Sequence, residues 1–104
     1  MNEYLIEVTE SAQNDLREIV RYIQTDLTSP GTAEHFLDGI EKMLEQLAFM
    51  PQKFQYVRDD RLASKEYRYT RYKSYLIFYT VDDNHHFVYI HRILHSSRQW
   101  EYLI

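Results

Sequence analysis

The stretch YRYTRYKSYLIFYTVDDNHHFVYIHRIL, residues 67–94, decides the fold. It divides into three runs rich in aromatic and β-branched residues, Tyr67–Tyr72, Tyr75–Val81 and Phe87–Leu94. Lys73-Ser74 and Asp82-Asp83-Asn84-His85 lie between them as turns. Strands joined by such short turns pair as an antiparallel meander. Within YLIFYTV, Tyr75, Ile77, Tyr79 and Val81 point one way, Leu76 and Phe78 the other, and both sets are apolar. FVYIHRIL behaves in the same way, so the sheet requires cover on both faces.

Upstream lies the cover for one of them. Residues 3–8, EYLIEV, read as a strand ending at Thr9, a suitable N-cap with Glu10 behind it. Ala12, Leu16, Ile19, Ile23 and Leu27 then recur at helical spacing, with Gln13, Asp15, Arg17 and Glu18 assigned to the opposite, polar face. Ser29-Pro30 starts a second helix carrying Ala33, Phe36, Leu37, Ile40, Met43, Leu44 and Leu47, and Pro51 stops it. The short link predicts an antiparallel helical hairpin. Residues 52–66, QKFQYVRDDRLASKE, show no period and are expected to form an irregular connector. A tail with Trp100, Tyr102, Leu103 and Ile104 follows the last strand.

The expected architecture is α+β in the order βααβββ, an N-terminal strand and helical hairpin packed on a mainly antiparallel sheet. At 104 residues it fits one domain, 1–104. The face away from the helices must be sealed by the tail, a second subunit or a partner chain.

Bulk composition excludes several classes of function. There is no cysteine, hence no disulfide or thiolate metal site. The start, MNEYLIEVTE, has acids where a signal peptide carries a basic region, and no apolar run approaches the ~20 residues of a membrane span. A soluble, cytoplasmic protein with no membrane partner is expected. The net charge of −4 argues against indiscriminate nucleic-acid binding, yet it is unevenly spread. Residues 1–52 hold three cations and ten acids, residues 53–104 nine and six. An anionic partner should meet the second half.

Of the chemical motifs, His91 and His95 have a helical metal-pair spacing but fall in a strand, where they stand ~13 Å apart. No metal and no cofactor are expected. His85 and His86 sit in an acidic turn and are expected to face solvent. Neither Ser96 nor Ser97 lies in a nucleophile elbow, and Gly31 and Gly39 make no phosphate loop. What remains is the basic, aromatic cluster of Arg68, Arg71 and Lys73, with Arg92, His95 and Arg98 near the end of the chain. Such groups stabilise a phosphodiester transition state, move its protons and stack bases. The plainer reading makes the arginines solvated edge residues and the tyrosines strand formers, and composition favours it.

Several segments, in their order and spacing, resemble the RelE/ParE superfamily of bacterial toxin–antitoxin toxins over nearly the whole chain. They are Ala33-Glu34-His35-Phe36, Ile40 with Leu44, Leu47 and Pro51, Tyr67-Arg68, YLIFY and VYIHRILHSSR (Val88–Arg98). The resemblance implies a compact toxin of a type II module, silenced by a cognate antitoxin protein and forming a homodimer or a toxin–antitoxin hetero-oligomer. It also implies one of two activities. RelE-like members cleave mRNA on the ribosome without a metal; ParE-like members poison DNA gyrase and are not nucleases.

If the chain is a ribonuclease, the resemblance makes Arg68 and His95 catalytic. Under either activity Arg71, Lys73, Arg92 and Arg98 are expected to meet substrate or target, and Leu76, Phe78, Trp100 and Tyr102 to meet the antitoxin. Leu76 stands where the ribonuclease arm often has arginine, and Ser96 where several members carry an aromatic or basic group. With the acidic total charge, YLIFY and RILH look closer to the ParE-like arm. A diverged, non-toxic member of a regulatory complex is the third reading.

Overall fold

A computed structural model describes residues 3–26 and 30–104. The main elements are β1 (Leu5–Val8), α1 (Glu10–Asp26), α2 (Pro30–Phe49), α3 (Asp60–Ser64), β2 (Arg68–Tyr72), β3 (Tyr75–Asp82) and β4 (Phe87–His95). Short 3-10 turns occur at Pro51–Lys53 and Trp100–Tyr102. The sheet order is β1-β4-β3-β2, with β2–β3–β4 antiparallel and β1 parallel to β4. The α+β arrangement βααβββ read from the sequence is the one observed. The proposed N-cap at Ser29, and Leu27, lie outside the described residues.

Thr9 caps α1 as its sequence position suggests: its Oγ1 accepts from the Ala12 N–H at 3.3 Å and donates to the His91 carbonyl at 3.1 Å. α1 therefore leaves the end of β1 already fastened to β4. The far end of α2 returns to the start of β1, where the Tyr4 N–H donates to the Ala48 carbonyl at 2.8 Å. Between these ties both helices lie across one face of the sheet. Ala12, Ile19, Ile23, Ala33, Phe36, Ile40 and Leu47 pack there against Ile77, Tyr79, Val88, Ile90 and Ile93.

A bulge explains how β4 serves two faces. The register with β3 shifts between Phe78 and Tyr79: Phe78 faces Arg92, but Tyr79 faces Ile90, leaving His91 as the extra residue. Val88, Ile90 and Ile93 consequently all reach the helical side despite their mixed parity, while Leu94 joins Leu76 and Phe78 on the other.

That other face is sealed by the chain itself. Val57 and Leu62 form a second buried cluster with Leu76, Phe78 and Leu94, and Trp100, Leu103 and Ile104 pack against it. Residues 52–66 are therefore more ordered than their lack of period predicts. Tyr56 bridges to Arg68, and the Asp59 carboxylate accepts from the Leu62 N–H at 3.0 Å, starting α3. One turn of helix plus one bridge buries residues five apart, a spacing that neither helical nor strand periodicity detects.

Candidate functional site

Arg68 opens β2, and its guanidinium is turned toward its own chain. It donates to the carbonyls of Phe54 (2.6 Å) and Gln52 (3.3 Å) and to the Tyr56 hydroxyl (3.0 Å), and lies 4.1 Å from the centre of the Tyr56 ring. These bonds hold the segment after α2 against the sheet. Next to it the fully buried Tyr79 donates its hydroxyl to the Pro51 carbonyl at 2.7 Å. Burial pushes that phenol well above its ordinary range, an effect that the nearby Arg68 charge only partly opposes.

His95 ends β4 and is exposed. Its Nδ1 accepts from the Ser97 N–H at 3.1 Å and is 2.7 Å from the Ser97 hydroxyl, and its ring meets Tyr75 edge-on at 5.3 Å. His95 and Arg98 share a cavity of ≈ 170 Å³ with Glu18, Tyr22 and Tyr75. Burial, and the charge that Tyr22 would carry, raise the Tyr75 phenol above its usual value.

The structure thus brings His95 and Arg98 together but leaves Arg68 elsewhere. Arg68 pairs with Tyr79 in the middle of β3, whereas His95 pairs with Tyr75 at its start. Four residues along a strand and two strand spacings separate them by roughly 16 Å of backbone.

Arg92 is bound within the fold. Its Nε and Nη2 donate to the Asp15 carboxylate at 2.8 and 3.0 Å, and its Nη1 to the Leu103 carbonyl at 2.7 Å. Hydrogen bonding to Asp15 raises the Arg92 pKa further. Asp15, assigned to the polar face of α1, is instead 8% exposed. The signal was present, since position 15 falls between Ala12 and Ile19 at spacings of three and four, inside the apolar stripe.

Leu76 and Phe78 are buried within the chain, Phe78 beneath Trp100 at 5.4 Å between ring centres, while Tyr102 is 84% exposed. Lys73 occupies the β2–β3 turn at φ 53°, its ammonium 5.7 Å from the centre of the Tyr72 ring. Arg71, on the Phe78 side of β2, lines a groove with Arg58, Tyr69 and Trp100. Arg58 and Lys53 were not singled out by sequence, because they lie in the segment without period. His85 is exposed and bonded to Asp82, which lowers the Asp82 pKa, but His86 is half-buried and stacks on Tyr4 at 4.9 Å. Among the described residues no three histidines or acids stand close enough to hold a metal ion. No described helix is long and apolar enough to cross a membrane.

A helical hairpin clasped over a β1-β4-β3-β2 sheet, with a basic, aromatic outer strand, defines a small α+β protein. The fold is similar to a chain in the crystal structure of the toxin–antitoxin complex RelBE2 from Mycobacterium tuberculosis. That similarity has a TM-score of 0.62 and 21% sequence identity, covering 89% of this chain and 98% of that one. The family model for the ParE toxin of the type II toxin–antitoxin system parDE matches residues 6–100. The chain belongs to the ParE toxin family, within the RelE/ParE superfamily. No curated protein matches the sequence at a significant level.

Proposed function

We propose that this type II toxin arrests growth by protein contact with DNA gyrase, and that a cognate antitoxin silences it in the cytoplasm. The observation that carries this reading is the disposition of the two ribonuclease candidates. Arg68 spends its guanidinium on Gln52, Phe54 and Tyr56, and faces Tyr79 in the middle of β3, four residues along from the Tyr75 that His95 faces. A phosphate-stabilising cation and a proton-transferring base must meet one scissile bond, within hydrogen-bond reach of it. The membership of the ParE family supports the same choice.

Ribosome-dependent mRNA cleavage is the second reading, and one cluster favours it. His95 keeps Nε2 free of any bond to Ser97, beside Arg98, Glu18 and Tyr75 in one cavity. Expression of the chain alone, with mapping of both mRNA 5′ ends and gyrase-dependent DNA breaks, separates the two. Growth arrest with DNA breaks and intact mRNA is expected. Codon-positioned mRNA cuts without DNA damage would overturn the gyrase reading. Normal growth in the presence of folded protein would point to the non-toxic reading.

A further inference from the structure

The hairpin that covers one face of the sheet turns its own outer face to solvent. Between α1 and α2 runs a groove of ≈ 420 Å³, in which Leu16 and Val20 of α1 meet Leu37 of α2. Leu16 and Val20 are half-buried and Leu37 is 40% exposed. The two banks of this groove carry opposite charge. On α1, Arg17 and Arg21 line it, about one helical turn apart and both exposed. On α2, Ala33 and Ile40, the neighbours of Leu37 on its inner side, are buried in the core. Its other neighbours, Glu34, Asp38 and Glu41, are thereby turned to the outer bank, and all three are exposed. The Arg17 guanidinium donates to Asn14 at 2.6 Å, and among the described residues none of these five charges is in an ion pair.

A face that is basic on one bank, acidic on the other and apolar between them is complementary to itself when turned over. Symmetry then sets the register. α2 runs back along α1, and Leu37 lies level with the stretch from Leu16 to Gln24 that lines the same groove. A two-fold axis parallel to the helices lays α1 of one copy on α2 of the other, antiparallel and with no shift along the axis. Arg21 comes level with Glu34 and Asp38 of the second copy, and Arg17 with its Asp38 and Glu41. The same contacts recur on the other side of the axis. A two-fold axis across the helices would instead set basic bank on basic bank and acidic on acidic.

We propose that the outer face of the α1–α2 hairpin is a homodimer interface, in which two copies of this chain stack as a four-helix layer. Leu16, Val20 and Leu37 of both copies form its apolar centre, and the arginines of each copy close on the acids of the other. A second copy fits this face better than other occupants do. A nucleic acid or an anionic membrane would meet the acidic bank, and a partner helix of one sign would satisfy only one of the two banks. The dimer leaves the sheet untouched, so the inference holds whichever target the toxin acts on.

The test is sedimentation of the full-length chain from micromolar to millimolar concentration, where a reversible dimer is expected. Arg17→Glu/Arg21→Glu and Glu34→Lys/Asp38→Lys/Glu41→Lys should each weaken it at least roughly tenfold, because like charges then face each other on both sides of the axis. Leu37→Glu should do the same at the apolar centre, while Lys53→Glu/Arg58→Glu, outside both helices, should leave the dimer unchanged. The decisive arm mixes the glutamate variant of α1 with the lysine variant of α2. Every bank again faces its opposite, and a heterodimer about as tight as the parent dimer should form. Lys53→Glu/Arg58→Glu has the same net charge as the α1 variant but corrects no bank, so its mixture with the lysine variant should be at least roughly tenfold weaker. The proposal is overturned if the parent chain stays monomeric at millimolar concentration, or if its dimer survives both charge reversals. It is equally overturned if the decisive mixture associates no more tightly than either variant alone.

Discussion

Asp15 on α1 and Arg92 on β4, 77 residues apart, form a two-pronged ion pair, and the same carboxylate accepts the Ile93 N–H at 2.9 Å. The second bond gives the pair its meaning. β1 stops at Val8, opposite Ile90, so beyond that point β4 has no strand on the side away from β3. α1 crosses there, and Asp15 supplies the acceptor that a longer β1 would have provided. Arg92, charge-compensated in this way, reaches on to the Leu103 carbonyl and fastens the tail over the second face.

Replacement of Asp15 should consequently cost far more than an ordinary surface acid. Asp15→Ala leaves a partly buried guanidinium and a buried N–H unmet, and a loss of about 3 kcal/mol is expected. For a domain of this size that lowers Tm by at least roughly 10 °C. Thermal melts of Asp15→Ala, Arg92→Met and the double variant should show the double less destabilised than the sum. Additive losses would mean that the pair does not couple.

The tail supplies a second contrast. Trp100 covers Phe78, whereas Tyr102, two residues on, is almost fully exposed. Trp100→Ala should cost about 2 kcal/mol and increase binding of an apolar dye as Leu76 and Phe78 are uncovered. Tyr102→Ala should fall within about 0.5 kcal/mol of the parent in urea titrations. Equal losses for both would place the seal of this face elsewhere.

Arg68→Ala tests the other half of the candidate cluster. An arginine without intramolecular partners could be removed without structural loss, and the sequence invited that expectation. Instead its removal leaves the carbonyls of Gln52 and Phe54 without their donor, and a loss of about 1–2 kcal/mol is expected. Hydrogen exchange should rise across residues 52–57 before the sheet is affected. Reduced toxicity of this variant is therefore evidence for a contact role only when corrected for folded protein. Arg68→Lys, which keeps the charge and loses the fork, should recover part of a charge effect but little of the stability.

Much of the fold was legible because its signals are local. Strand alternation, two amphipathic stripes, Thr9 as a cap and the short turn at Lys73-Ser74 each declare an element within a few residues. The site was harder to read, because partner choice is tertiary. Nothing adjacent to Arg92 reveals that Asp15 claims it, and nothing near Arg68 reveals that residues 52–56 fold back onto it. The bulge at His91 was likewise hidden in a run whose two parities are both apolar. Leu76 and Phe78, expected to meet an antitoxin, face Val57, Leu62 and the tail, whose apolar residues are too sparse to announce a covering layer.

The bulge has a pH consequence. His91 is half-buried beside the Tyr67 and Tyr89 rings, shares a cavity with Arg92, and its Nε2 lies 2.8 Å from the Thr80 hydroxyl. Burial lowers its pKa from the ordinary 6.5. The unfolded chain therefore takes up a proton at a pH where the folded chain does not. The contribution is fully present above the unfolded value and declines as pH falls from about 7 toward the lower folded value. Urea midpoints measured from pH 8 to 5 should drop across this window, with a shallower drop in His91→Gln. Asp82, whose pKa is lowered by its hydrogen bond to His85, acts in a separate acidic window below its ordinary 3.8. An unchanged slope in His91→Gln would remove His91 as the source.

Gly39 presents an inversion of the usual helix rule. Glycine inside a helix normally weakens it by roughly 0.5–1 kcal/mol relative to alanine, so Gly39→Ala in the middle of α2 would ordinarily stabilise. Here a Cβ at position 39 would fall on the hydroxyl end of the Tyr72 ring, which reaches α2 from β2. That ring also packs edge-on against Phe36 at 5.5 Å, and Gly39 is what lets the helix and the outer strand approach. Gly39→Ala should therefore destabilise by about 1–3 kcal/mol as the tyrosine is displaced. In a Tyr72→Leu background, where the obstructing ring is gone, the same substitution should be neutral or stabilising by about 0.5 kcal/mol. Urea titrations of the four proteins give the coupling directly. Stabilisation by Gly39→Ala alone would show that α2 and β2 do not need the close approach.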